Sequence, residues 1–299
     1  TISEYSVVDG KSQMTAVWGS PGRTDGQLGE PVDITVSESG AYYILERLNN
    51  RLSIFDSDRT FQKAIYPSRK YPLHDPVALT LHDGNQFWTH LRQSFLVVID
   101  ADGGRMVKLD LSGRILAVIK PDFPFQSFEF RQVATDYYGS IYVTDPLNNA
   151  VHKFDSDLNY QVSLGTEGDN VRLHRPAGLA IDKQFGQLWV SDSLGVHYFW
   201  IGTDTLNFRA GFSQLKNAVM GRFMLTEPAY VTIQMHSSEG QLVETLIADE
   251  KKLFEPVQFQ WSPPWGFAAK EVEVYVKLTP TYASRRHFTK IIKQKIDLP

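Results

Sequence analysis

Residues 46–58 read ERLNNRLSIFDSD, and residues 145–157 read DPLNNAVHKFDSD. Such self-similarity points to one supersecondary unit built more than once, and it restricts the chain to repeat architectures. Two further segments fit the same frame, DADGGRMVKLDLS (100–112) and DSLGVHYFWIGTD (192–204). Each opens on an acid, turns on Asn or Gly, and runs into alternating apolar positions. Asn-Asn or Gly-Gly between two apolar runs marks a hairpin, because these residues accept positive φ angles. LNN is therefore expected to be the turn between the second and third strands of a unit, and FDSD the turn between the third and fourth. On this reading the Asn and Asp residues serve turns rather than a ligand.

The stretch ahead of each segment repeats as well: GEPVDITVSESGAYYILE (29–46), DPVALTLHDGNQFWTH (75–90), RQVATDYYGSIYVTD (131–145) and RPAGLAIDKQFGQLWVSD (175–192). A short apolar strand is followed by a Gly turn and an aromatic-rich strand. The acids Glu46, Asp100, Asp145 and Asp192 end the second strands, so the unit returns every 45–54 residues. Four short strands at a period of about 40–50 residues describe a β-propeller blade. The 18 Phe, 13 Tyr and 6 Trp suit such strands.

PAGLAIDKQFGQLWVSD (176–192) and GSIYVTDPLNNAVHKFD (139–155) resemble NHL repeats, and the resemblance extends over residues 5–211. It implies an all-β, NHL-type propeller. Four repeats are complete. Residues 5–18 look like the outer two strands of another blade, so five blades are expected, with four the next count. Propellers commonly close by pairing terminal strands in one blade, which removes free edges.

The pattern changes near residue 212, dividing the chain into 1–212 and 213–299. Val231, Ile233 and Met235 alternate with Thr232, Gln234 and His236, as in a strand with one buried face. EVEVYVKL (271–278) alternates likewise, and KIIKQKI (290–296) reads as a last strand. Several short strands over this length suggest an Ig-like β-sandwich. Phe223, Leu225, Val231, Ile233, Gly240, Val243, Leu246 and Trp261 occupy the places of a FlgD-type Ig-like domain, which the segment resembles; SPPWGFAAKE replaces the Trp-Asp-Gly continuation of that family. The resemblance implies export to a bacterial periplasm, cell surface or exterior. Thr1 in place of Met is what a removed export signal would leave.

A net charge of −4 without a basic stripe argues against nucleic acid as a partner. Without cysteine the chain has no disulfide, thiolate chemistry or Cys-ligated metal. No stretch is apolar for about 18 residues, so no spanning helix is expected. His74, His82 and His90 recur at a spacing of eight, but that spacing alone does not converge three imidazoles on a metal. The second-strand acids recur once per unit, as structural residues do. No P-loop, H-E-x-x-H or G-x-S-x-G occurs. No catalytic, metal or cofactor site is therefore assigned.

The expected function is that of an exported, non-catalytic scaffold or binding subunit contacting other proteins of an envelope or extracellular assembly, with self-association as an option. Its candidate contact residues are Phe123, Phe125, Phe128 and Phe130 in a Phe-rich loop, Arg92 and Phe95 in the insertion of the second unit, Trp265 after the sandwich Trp, and Arg285 and Arg286 in a basic tail. HYFWIG (197–202) is more aromatic than its counterparts. The alternatives are a metal-dependent propeller hydrolase or lyase, and a surface carbohydrate-binding protein using Trp88, Trp189, Trp200 and Trp265.

Overall fold

A computed structural model describes residues 1–67, 71–87, 89, 91–101, 104–119, 127–166, 171–182, 186–203, 205–253, 255–281 and 289–299. Among these the chain is all-β, and no helix long and apolar enough to cross a membrane is present. It forms two compact units. The first comprises Thr1–Lys183 with Leu188–Tyr198, and the second Gln184–Gln187 with Phe199–Pro299.

The first unit opens with an antiparallel hairpin of β1 (Ile2–Val8) and β2 (Lys11–Trp18). A short parallel bridge follows, between β3 (Ser20–Pro21) and β4 (Gln27–Leu28). Sheet one is the meander β5 (Pro31–Val36), β6 (Tyr42–Glu46), β7 (Arg51–Phe55) and β8 (Phe61–Ile65). Sheet two is β9 (Ala78–His82), β10 (Phe95–Asp100), β11 (Arg105–Leu109) and β12 (Ile115–Ile119). Sheet three is β13 (Val133–Thr135), β14 (Ile141–Asp145), β15 (Ala150–Phe154) and β16 (Tyr160–Leu164). Sheet four has three strands, β17 (Gly178–Asp182), β18 (Gln187–Ser191) and β19 (Val196–Trp200).

The strand period of two explains why these sheets stack. In β10, Leu96 and Val98 join Leu45, Leu52 and Leu81 in a core shared with sheet one. The intervening Phe95, Val97 and Ile99 join Phe130, Ile141 and Phe154 in a core shared with sheet three. Both faces of β10 are thus covered, and the strand reads as an unbroken apolar run. The first strands of successive sheets abut in series, β5 on β9, β9 on β13, and β13 on β17. This is the serial packing of propeller blades. Trp18 of the opening hairpin lies edge-on to Tyr42 and Phe55 of sheet one, with both centroids at 5.1 Å. Among the described residues no third strand joins that hairpin.

The chain position of a fourth strand in sheet four belongs to β20 (Thr205–Ser213), which pairs instead with β21 (Ala218–Leu225) in the second unit. The change of architecture therefore falls ahead of residue 212, because β20 takes its hydrogen bonds from the strand that follows it. β24 (Val257–Trp261) completes this three-stranded sheet. A second sheet has the order β23 (Leu242–Lys252), β22 (Ala229–Ser237), β25 (Glu271–Pro280) and β26 (Lys290–Asp297). Val231, Ile233 and Met235, the alternating set in β22, meet Phe223, Phe259 and Trp261 of the other sheet in one core. The two sheets pack as a sandwich.

Candidate interaction surface

The four second-strand acids are structural anchors. Glu46 is fully buried. Its Oε1 accepts from Arg51 Nε at 2.8 Å and from the Ser53 hydroxyl, and its Oε2 from the Gly29 N–H at 2.6 Å and Asn49 Nδ2 at 2.5 Å. Asp100 accepts from the His74 N–H at 2.7 Å and from Arg105 Nε at 2.7 Å. Asp145 accepts from the Glu129 N–H at 3.2 Å and Asn148 Nδ2 at 2.6 Å, with His152 Nε2 at 3.2 Å. Asp192 accepts from the His174 N–H at 2.8 Å, and His197 Nε2 lies 3.1 Å from it. In each sheet the acid ties the chain entering the first strand to a basic or imidazole side chain on the third. Burial pushes the Asp192 carboxyl up, but the N–H groups of His174, Leu194 and Gly195 together with His197 outweigh it and hold the group at about 2. Asp145 is likewise drawn below the usual carboxylate range: burial raises it, and His152, Asn148 and backbone N–H donors outweigh that.

The LNN turns do more than reverse the chain. The first Asn reaches back to the acid, Asn49 to Glu46 and Asn148 to Asp145. The second, Asn50 at φ 50° and Asn149 at φ 53°, accepts through Oδ1 from the next sheet's entry, the Asp75 N–H at 3.1 Å and the Arg175 N–H at 2.8 Å. The FDSD turns are Asx turns. Asp56 Oδ1 accepts from the N–H groups of Asp58 and Thr60, and Asp155 Oδ1 from those of Asp157 and Asn159. Asp110 does the same in sheet two, with Gly113 at positive φ where the other copies have Arg59 and Leu158.

Two expected contact residues are corrected. Phe95 and Phe130 are fully buried in the core between sheets two and three, so neither ring is offered to a partner. Each falls on an inward position, and the local wealth of aromatics serves packing. Phe128 is half-buried and lies 4.7 Å from Phe130 between ring centroids. Arg92 is exposed, and its guanidinium donates to the carbonyls of Gly84 and Gln86. Trp265 is wholly exposed. Phe123, Phe125, Arg285 and Arg286 lie outside the described residues, as do Trp88 and the Trp200 side chain.

His82 is buried and stacked on Phe95 at 4.9 Å, His74 is exposed beside Asp75, and His90 lies outside the described residues. Among the described residues no group of three or more His, Asp or Glu side chains could hold a metal.

At sheet four apolar side chains gather in the open. Trp189 on β18 and Tyr198 on β19 stand 5.4 Å apart, exposed by 40% and 51%. Leu194 and Val196, at 70% and 67%, extend the patch along the turn and strand. β19 is the last strand of sheet four, where its counterparts β7, β11 and β15 each carry a fourth strand. The sequence signal was HYFWIG. The strength of that signal as a surface depended on the loss of β20 to another sheet, which no local motif announces.

No family model and no curated protein sequence matches the chain. Among solved structures it is similar to PorZ, a surface component of the type IX secretion system of Porphyromonas gingivalis, with 10% identity over 90% of this chain and 39% of PorZ and a TM-score of 0.49. It is similar to a gluconolactonase of Xanthomonas campestris, with 14% identity over 64% of this chain and 63% of the enzyme and a TM-score of 0.45. It is also similar to virginiamycin B lyase of Staphylococcus aureus, with 11% identity over 89% of this chain and 84% of the lyase and a TM-score of 0.39. The chain spans about two fifths of the length of PorZ.

Proposed function

We propose that this chain is an exported, non-catalytic binding subunit that contacts other proteins in an envelope or extracellular assembly. The first unit is read as an NHL-type propeller segment and the second as a FlgD-like Ig-like sandwich, on the residue templates set out above. The observation that carries the reading is the patch of Trp189, Leu194, Val196 and Tyr198 at the last strand of the three-stranded sheet. Exposed aromatic and aliphatic side chains beside a sheet edge fit a protein partner better than a small polar substrate. The second-strand acids are engaged by backbone and side-chain donors.

Gentle purification from the native source, with the wild-type chain and a Trp189→Ser/Tyr198→Ser variant side by side, tests this. A stoichiometric protein partner held by the wild type and lost from the variant is the expected result. A chain that purifies alone, or a partner held equally by both, overturns it.

A further inference from the structure

The outward face of the β20–β21–β24 sheet carries an arrangement that the sandwich fold does not require. Arg209 on β20 stands directly opposite Arg222 on β21, and Arg222 directly opposite Gln258 on β24. All three are exposed. Two like charges in directly opposed positions of an antiparallel pair repel. None of the three strands contains an Asp or Glu. Neither guanidinium has an ion-pair or hydrogen-bond partner among the described residues. Elsewhere on this protein Arg51, Arg59, Arg105 and Arg114 each meet a carboxylate.

The row borders a depression of about 450 Å³, lined by Arg209, Gly211, Met220, Gly221, Arg222 and Gln258. Its shape follows from two glycines. Gly211, the outward-facing residue next to Arg209 along β20, leaves open space where a side chain would stand: a Cβ there would meet nothing within 4 Å. Gly221 admits the Phe259 ring on the core side, where a Cβ would come within 2.0 Å of the ring. The floor is therefore backbone, with two guanidinia and an amide at one end and the Met220 side chain at the other.

We infer that this depression binds an oxyanion, a carboxylate, phosphate or sulfate group, between Arg209 and Arg222 with the Gln258 amide as a further donor. Guanidinium forks match planar or tetrahedral oxyanions in bidentate fashion, and a bound anion converts a repulsive pair into an attractive triad. Met220 is placed to meet an apolar body carrying that group. The inference stands on the second unit alone and does not depend on the proposed function.

The test is an NMR titration of the full chain with inorganic phosphate and, separately, phenyl phosphate, against sodium chloride at matched ionic strength. Saturable shifts at the Gly211 and Gly221 amides are expected with both phosphates and not with chloride. Arg209→Gln or Arg222→Gln should each weaken binding about tenfold, and the double variant should abolish it. In phosphate-free buffer Arg222→Gln should raise the melting temperature by relieving repulsion. Tighter binding of phenyl phosphate would place the anion on an apolar body, and equal binding would make it a free ion; either supports the site. Shifts that fail to saturate, shifts that persist in the double variant, or a fall in melting temperature on Arg222→Gln would overturn it.

Discussion

Sheet one and sheet four carry the same anchor in two states of enclosure. In sheet one Glu46 and Arg51 are sealed together, with side-chain exposures of 0% and 1%. Arg51 also donates to the carbonyls of Thr24 and Gln27 and to the Tyr66 hydroxyl, so the loop before the sheet and the chain after its fourth strand both close over the pair. In sheet four Asp192 is enclosed but its partner His197 is 26% exposed, and among the described residues no fourth strand lies beyond. The repeat decides where an acid stands. The strands around it decide whether water takes part in holding it, and hence how much the fold depends on it.

Several substitutions would break or sharpen that contrast. The largest effect is expected from Arg51→Ala, which leaves Glu46 buried without its counter-charge and should cost about 3–5 kcal/mol in a denaturant titration. His197→Ala, the matching change in sheet four, should cost only about 1 kcal/mol, since water can replace the imidazole. Equal losses for the two would erase the distinction between sealed and open anchors.

Asp192 gives the contrast a pH signature. Its carboxyl sits at about 2 in the folded chain, below the usual aspartate value of about 3.9. A depressed value means that the unfolded chain binds the proton first, so the stabilisation is fully present above about pH 4 and is lost as pH falls towards 2. Asp192→Asn should lower stability at neutral pH by about 1–3 kcal/mol and flatten the acid limb of the stability curve. A variant whose acid limb matches the wild type would show that the loss belongs to other carboxylates.

The second Asn of each LNN turn should give losses well below that of Arg51. Asn50→Ala and Asn149→Ala each lose a bond to the next sheet and put Ala at positive φ, for about 1–2 kcal/mol in thermal unfolding. Asn50→Gly and Asn149→Gly keep the backbone at ease and should lose about half of that. If Gly and Ala variants match, the backbone conformation contributes nothing and the turn acts through its side chain alone.

Much of the first unit was legible because its signals are local. LNN and FDSD mark turns through the φ preference of Asn and the side-chain acceptor of Asp, and the structure places turns there. The alternation in 231–236 marked a one-sided strand for the same reason. What escaped was set by distance. The partners of the acids, Arg51, Arg105, His152 and His197, follow five or seven residues later, and the recurrence of a base at that offset was a readable signal. Phe95 was read as surface from its place in an insertion and Phe130 from a Phe-rich loop, whereas both lie in the core between sheets two and three. The diversion of β20 was not legible locally, since nothing in TLNFRAGFS states which neighbour it will pair with. The Arg209–Arg222 row depends on that pairing and on its register, and so was invisible until the sheet was assembled.

The side-chain ties between sheets have a mechanical consequence. Asp33 to the Leu79 N–H and Asn50 to the Asp75 N–H join the first pair, Lys108 to the Ser156 carbonyl the second, and Thr144 and Asn149 to residues 177 and 175 the third. Each named tie couples one sheet to the next in line. Drawn by its ends, such a unit would yield link by link like a chain of clasps rather than in a single rupture, and a force trace would show separate teeth. Sheet four is held to one neighbour, through Thr144 and Asn149, so a tooth at that end would open beside the exposed patch of Trp189 and Tyr198.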